Sequence, residues 1–72
     1  MQQEGDAAAR EILGYLDSYG DAPVIVVKEA LGKPKLHFNM GLGELVLRHQ
    51  VAIRERGGVF WAIRSTQAGK AA

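Results

Sequence analysis

The 72-residue chain has no cysteine, which excludes a disulfide framework and any thiolate metal site, so its core must hold without a staple. No apolar run approaches the roughly 20 residues that a membrane-spanning helix needs. The N-terminal MQQEGDAAAR lacks the basic-then-apolar order of a secretory signal, and a cytoplasmic protein with no membrane partner is the expectation. There is no internal repeat and no low-complexity segment. His37 and His49 are too few, and too far apart around a helix, to share a metal. No Ser-His or Cys-His arrangement offers a nucleophile with its base. Gly57-Gly58 has no phosphate-loop pattern around it. No enzyme, cofactor or metal site is expected.

What is present fits an ordinary globular domain, with 47% hydrophobic and 24% charged residues, a balance unlike that of disordered chains. The length allows one domain with one modest core. Net charge is only +1, but it is unevenly spread. Residues 1–32 carry six acids against Arg10 and Lys28, a balance of −4. Residues 33–64 carry Lys33, Lys35, Arg48, Arg54, Arg56 and Arg64 against Glu44 and Glu55, a balance of +4. A base-rich half is an electrostatic argument for nucleic acid.

Hydrophobic spacing and punctuation divide the chain into a lead-in at 1–5, a domain at 6–64 and a tail at 65–72. Asp6 is a suitable N-cap, and Ala9, Ile12, Leu13 and Leu16 recur at helical spacing, so a first helix is expected over about 7–19 with Gly20 as its left-handed stop. A short extended segment near 22–24 leads to a second helix over about 25–31, which Gly32 ends. Pro34 presets the start of a third helix, expected to reach about His49 despite Gly41 and Gly43. Alternation in Val51–Arg54 and Phe60–Ile63 gives two strands, and Gly57-Gly58 supplies the positive φ values of a tight hairpin turn. Trp61 is expected to plug the core.

Three helices followed by a Gly-tipped hairpin resemble a winged helix-turn-helix domain over about residues 8–64, an α+β fold in which the third helix usually faces DNA. Within that superfamily, Asn39-Met40-Gly41-Leu42-Gly43, with Leu45 and a strand starting at Val51, resembles a small bacterial and archaeal family. That family has an Asn-Met-x-Leu-Gly third helix and no characterised function. A second likeness is to the Z-DNA-binding (Z-alpha) domains, through Leu31-Gly32-x-Pro34-Lys35, Asn39 and Trp61. This resemblance implies backbone contacts by Lys35, Asn39 and Trp61. The chain departs from it at Gly43, where that family has a stacking Tyr, at Met40, where it has an Arg, and at Gly57-Gly58-Val59, which replace a Pro-containing wing.

At about 100° per residue, Phe38, Leu42, Leu45 and His49 share one face of the third helix, with Val46 at its edge. Leu36, Met40, Gly43 and Leu47 cluster directly opposite. Base edges and phosphates need donors and acceptors, which Leu and Met lack. The stripe is therefore a contact for a protein partner or a second copy, or it is covered by the hairpin or tail, or DNA is touched only by the helix flanks. Lys33, Lys35, Asn39, Arg48, Arg54 and Arg56 are the candidate phosphate set, against the plainer reading of solvated charge. The leading expectation is a transcription-associated module that binds double-stranded DNA mainly through its backbone. The alternative is an interaction or homodimerisation module using the stripe. Exposure of Leu36, Met40 and Leu47 favours the second, and their coverage by the hairpin favours the first.

Overall fold

A computed structural model describes residues 3–65, with side chains from Asp6 onward. The order is α1 (Gln3–Tyr19), β1 (Ala22–Pro23), α2 (Val24–Leu31), α3 (Lys35–Leu47), β2 (Val51–Arg56) and β3 (Val59–Arg64). The strands form one antiparallel sheet in the order β1-β3-β2, so the last strand is the central one. Three helices and this sheet make an α+β fold. Among the described residues no helix is long and apolar enough to cross a membrane.

α1 starts at Gln3, earlier than its expected start near residue 7, because Ala7-Ala8-Ala9 is strongly helix-forming and propagates the helix backwards. Asp6 thus lies inside the first turns, near the positive end of the helix dipole, and is not the N-cap; residues 3–5 of the expected lead-in are helical. Gly20 ends α1 at φ 89°, with its N–H donating to the Leu16 carbonyl at 2.8 Å. Pro23 precedes α2 with φ −59° and ψ 140°, and Gly32 ends it at φ 62°. The run Val24-Ile25-Val26-Val27 is helical against its β propensity because Pro23 and Gly32 bracket it and Val27 finds the core.

The core is filled by Ile12 and Leu16 of α1, Val27 of α2, Phe38 and Leu45 of α3, and Val51, Ala22 and Ala62 of the sheet. α3 meets α1 at Gly41, which is buried. A Cβ at that position would lie 2.7 Å from both the Ala8 Cβ and the Ala9 nitrogen, so only glycine lets the helices approach this closely. Gly43 differs, since a Cβ there would meet nothing within 4 Å.

Two expectations about the core change. α3 stops at Leu47, and His49 adopts φ 61°. Its N–H donates to the Val46 carbonyl at 3.0 Å, and that of Gln50 to the Leu45 carbonyl at 2.9 Å. This is a Schellman end with histidine where glycine is usual. His49 is therefore exposed and not on the core face. Val46 also lies at the surface.

Gly57 and Gly58, at φ 57° and 83°, form a two-residue turn, so Arg56 pairs with Val59, Arg54 with Trp61 and Ile53 with Ala62. Strand alternation then puts Val51, Ile53, Phe60 and Ala62 on the inner face and Arg54, Arg56 and Trp61 on the outer one. Trp61 is half-buried on that outer face and does not plug the core.

The two α3 glycines should respond oppositely to alanine. Gly41→Ala is expected to lower stability by about 1–3 kcal/mol through overpacking. Gly43→Ala should raise it by about 0.5–1 kcal/mol through helix propensity. Urea denaturation of both variants reads the signs.

Candidate interaction surface

Folding divides the six candidate phosphate ligands. Lys33, at the α2–α3 junction, is half-buried with its Nζ 3.3 Å from Glu11 Oε2 of α1. Arg48, just after α3, holds Glu44 Oε2 at 2.7 Å. Both spend their charge locally. Lys35, Asn39, Arg54 and Arg56 are exposed, and among the described residues Lys35, Arg54 and Arg56 have no carboxylate partner. The Arg56 guanidinium lies over the Trp61 ring, 5.2 Å from its centroid, within cation–π range. Lys35 and Asn39 sit one turn apart on α3, while Arg54 and Arg56 are carried by the outer face of the hairpin. The set is two small groups, not one patch.

The basic excess of residues 33–64 shrinks for the same reason. Glu11 from the acidic half neutralises Lys33, and Asp17 neutralises Arg64 at 3.0 Å. Arg64 does more than pair. Its backbone N–H donates to Asp21 Oδ1 at 3.2 Å, its Nε to Asp17 Oδ1 at 3.0 Å and its guanidinium to the Gln50 carbonyl at 3.2 Å. It thus ties β3 to the end of α1, to the turn before β1 and to the start of β2. In the sequence Arg64 counts only as one more base, because its three partners lie 14 to 47 positions away.

The opposite face of α3 is bare. Leu36 is 66% exposed, Met40 40% and Leu47 78%, and Gly43 between them is also exposed. Neither the hairpin nor any other described element covers them; the tail at 66–72, the other expected cover, lies outside the described residues. With Phe38, Gly41 and Leu45 turned inward, α3 has an apolar inside, an apolar outside and polar groups only along its flanks.

Beside this face a groove of about 260 Å³ opens between α2, α3 and β3, lined by Val24, Ile25, Lys28, Phe38, Asn39 and Phe60. Phe60 is 58% exposed at its rim. Sequence reading does not find this groove, since its walls come from three separate elements and its rim depends on the strand register. Among the described residues no group of three or more His, Cys, Asp or Glu side chains lies close enough to hold a metal ion.

No protein-family model, no curated protein and no solved structure matches the chain.

The Arg64 contacts predict a structural role. Arg64→Ala should cost about 1–2 kcal/mol of unfolding free energy, reflecting charge-assisted hydrogen bonds that are partly screened by solvent. Arg54→Ala should stay within about 0.5 kcal/mol. Chemical denaturation of the two variants side by side separates the latch from the free base.

Proposed function

We propose that the chain is a winged-helix interaction module that docks protein on the solvent face of α3. The observation that carries this reading is the exposure of Leu36, Met40 and Leu47 on the face that a DNA-reading helix would fill with donors and acceptors. Three large apolar side chains aligned on one helix face, with polar groups at the edges, have the anatomy of a protein contact: an apolar centre and a polar rim. The order of three helices followed by a glycine-tipped hairpin is what supports the winged-helix assignment, together with the first strand adding to the hairpin. Fold alone does not choose between partners; the chemistry of the face is what supports this one.

This reading predicts that Met40→Glu leaves the folded state within about 0.5 kcal/mol of the parent, since the side chain is at the surface, while abolishing association. Circular dichroism during urea titration and sedimentation velocity test the two halves. If Met40→Glu unfolds the domain, the stripe is internal and the proposal fails.

A second reading, contact with the DNA backbone, is supported by three of the candidate ligands, Lys35, Arg54 and Arg56, which have no carboxylate partner among the described residues. Asn39 lies one turn after Lys35 and can add a hydrogen bond to a phosphate. Three phosphate contacts imply a log–log salt slope of about −3 for duplex binding, and Arg56→Ala should reduce that slope by about 1. Fluorescence anisotropy with a labelled duplex measures it. No binding at about 50 mM salt with tens of micromolar protein counts against this reading.

A further inference from the structure

The groove between α2, α3 and β3 combines an apolar lining with one half-buried positive charge. Phe38, 1% exposed, forms its floor. Val24, Ile25 and Lys28 share the α2 wall, spanning one helical turn. Asn39 borders it from α3 and Phe60 from β3. Ile25 and Phe60 leave more than half of their surface in solvent. We propose that this groove binds a small aromatic carboxylic acid, its ring on the apolar walls and its carboxylate on the Lys28 ammonium. The Asn39 amide is a further donor. The site is separate from the exposed stripe of α3 and does not depend on what docks there.

Charge complementarity selects the anion. Lys28 is the only ionisable residue lining the groove. It is half-buried, and among the described residues it has no carboxylate partner, unlike Lys33, Arg48 and Arg64. The two nearest acids by chain and ladder are Glu29, which follows Lys28, and Glu55, which pairs with Phe60. Neither lines the groove. Among the described residues the Asn39 amide also lacks a hydrogen-bond partner. An ammonium held among apolar side chains is costly to desolvate unless it is paired, so an anion from outside completes the site. One lysine balances one negative charge. A phosphate dianion would keep an uncompensated charge against Val24, Ile25 and Phe60, which makes a monocarboxylate the better match.

Size selects the body. A cavity of about 150 Å³ with apolar walls takes a benzene ring, so the 260 Å³ here leaves room for one ring and a short acidic arm. The volume lies below the roughly 300–1,000 Å³ typical of sites for drug-sized ligands, which excludes a nucleotide or a long acyl chain. Phe38 and Phe60 give a ring offset or edge-to-face partners. For a ligand of about ten heavy atoms, a dissociation constant on the order of 0.1–1 mM is expected.

The probes are phenylacetate, the neutral phenylacetamide of the same shape, and the cationic benzylamine. Titrated into the ¹⁵N-labelled full chain, phenylacetate should give saturable amide shifts concentrated at Val24, Ile25, Lys28, Phe38, Asn39 and Phe60. Phenylacetamide should bind about five- to tenfold more weakly, for want of the charge-assisted hydrogen bond, and benzylamine more weakly still. Lys28→Met keeps the apolar stem and removes the charge. It should lower phenylacetate affinity by the same five- to tenfold while leaving phenylacetamide unchanged. Phe60→Ala should weaken both. An unchanged pattern of amide dispersion shows that each variant is folded.

No saturable shift with about 10 mM phenylacetate overturns the inference, as do shifts scattered away from the groove. Equal affinity for phenylacetate and phenylacetamide overturns the role of Lys28, and this comparison needs only the wild-type chain, so it holds even if Lys28→Met does not fold.

Discussion

The fold turns on the contact of Gly41 with Ala8 and Ala9. Where two helices touch backbone to backbone, their separation and relative rotation are fixed together, since any other residue at that position has to push the helices apart. In this protein the contact sets the roll of α3. Phe38 and Leu45 are driven into the core formed with Ile12, Leu16 and Val27, and the opposite side of the helix is turned to solvent. The exposed stripe is thus the far side of a tight helix pair and is held in place by it. A looser contact would let α3 roll, and the distinction between its two apolar sides would be lost.

Electrostatics follows the packing. Before folding, the first half is acidic and the second basic, and the chain looks polarised. Folding brings Lys33 to Glu11 and Arg64 to Asp17, so much of the excess is consumed internally between the halves. Arg64 has only a quarter of its side chain exposed, and it adds hydrogen bonds to the ion pair. Exposed pairs of this kind contribute modestly, but those of Arg64 converge from three segments onto one guanidinium and one backbone amide. Of the candidate phosphate ligands, the cations without a carboxylate partner among the described residues are Lys35 at the start of α3 and Arg54 and Arg56 on the outer face of the hairpin.

Much of this architecture is legible in the residues, and the places where it is not have physical causes. Gly20, Gly32, Gly57 and Gly58 mark their turns correctly because each needs a positive φ that other residues resist. Pro23 and Pro34 mark helix starts for the complementary reason, a preset negative φ. His49 misleads because helical periodicity continues through it, while the chain has already turned left-handed to begin β2. Trp61 misleads through its size, although its position follows from the turn. A two-residue loop at Gly57-Gly58 pairs Arg56 with Val59, and counting back by twos places Trp61 beside Arg54, on the face away from the core. The apolar stripe can be read from spacing alone. Its exposure cannot, nor can the groove at Phe60, because both depend on which elements come to lie beside α3.

The strand order has a consequence for how the molecule is made. β3 is the last of the described strands and the middle one in space, so β1 and β2 have no ladder partner until it arrives. On a ribosome, α1, α2 and α3 can emerge and begin to associate through Gly41 while both sheet edges still wait. At about 5–20 residues per second, the interval between the end of α3 and the end of β3 is on the order of one to a few seconds. During that time the inner side chains Ala22 and Val51 have no sheet to join, and helix packing alone must keep the nascent chain from meeting other chains. Arg64, the final residue of β3, then closes the sheet and clamps it to α1 in a single step.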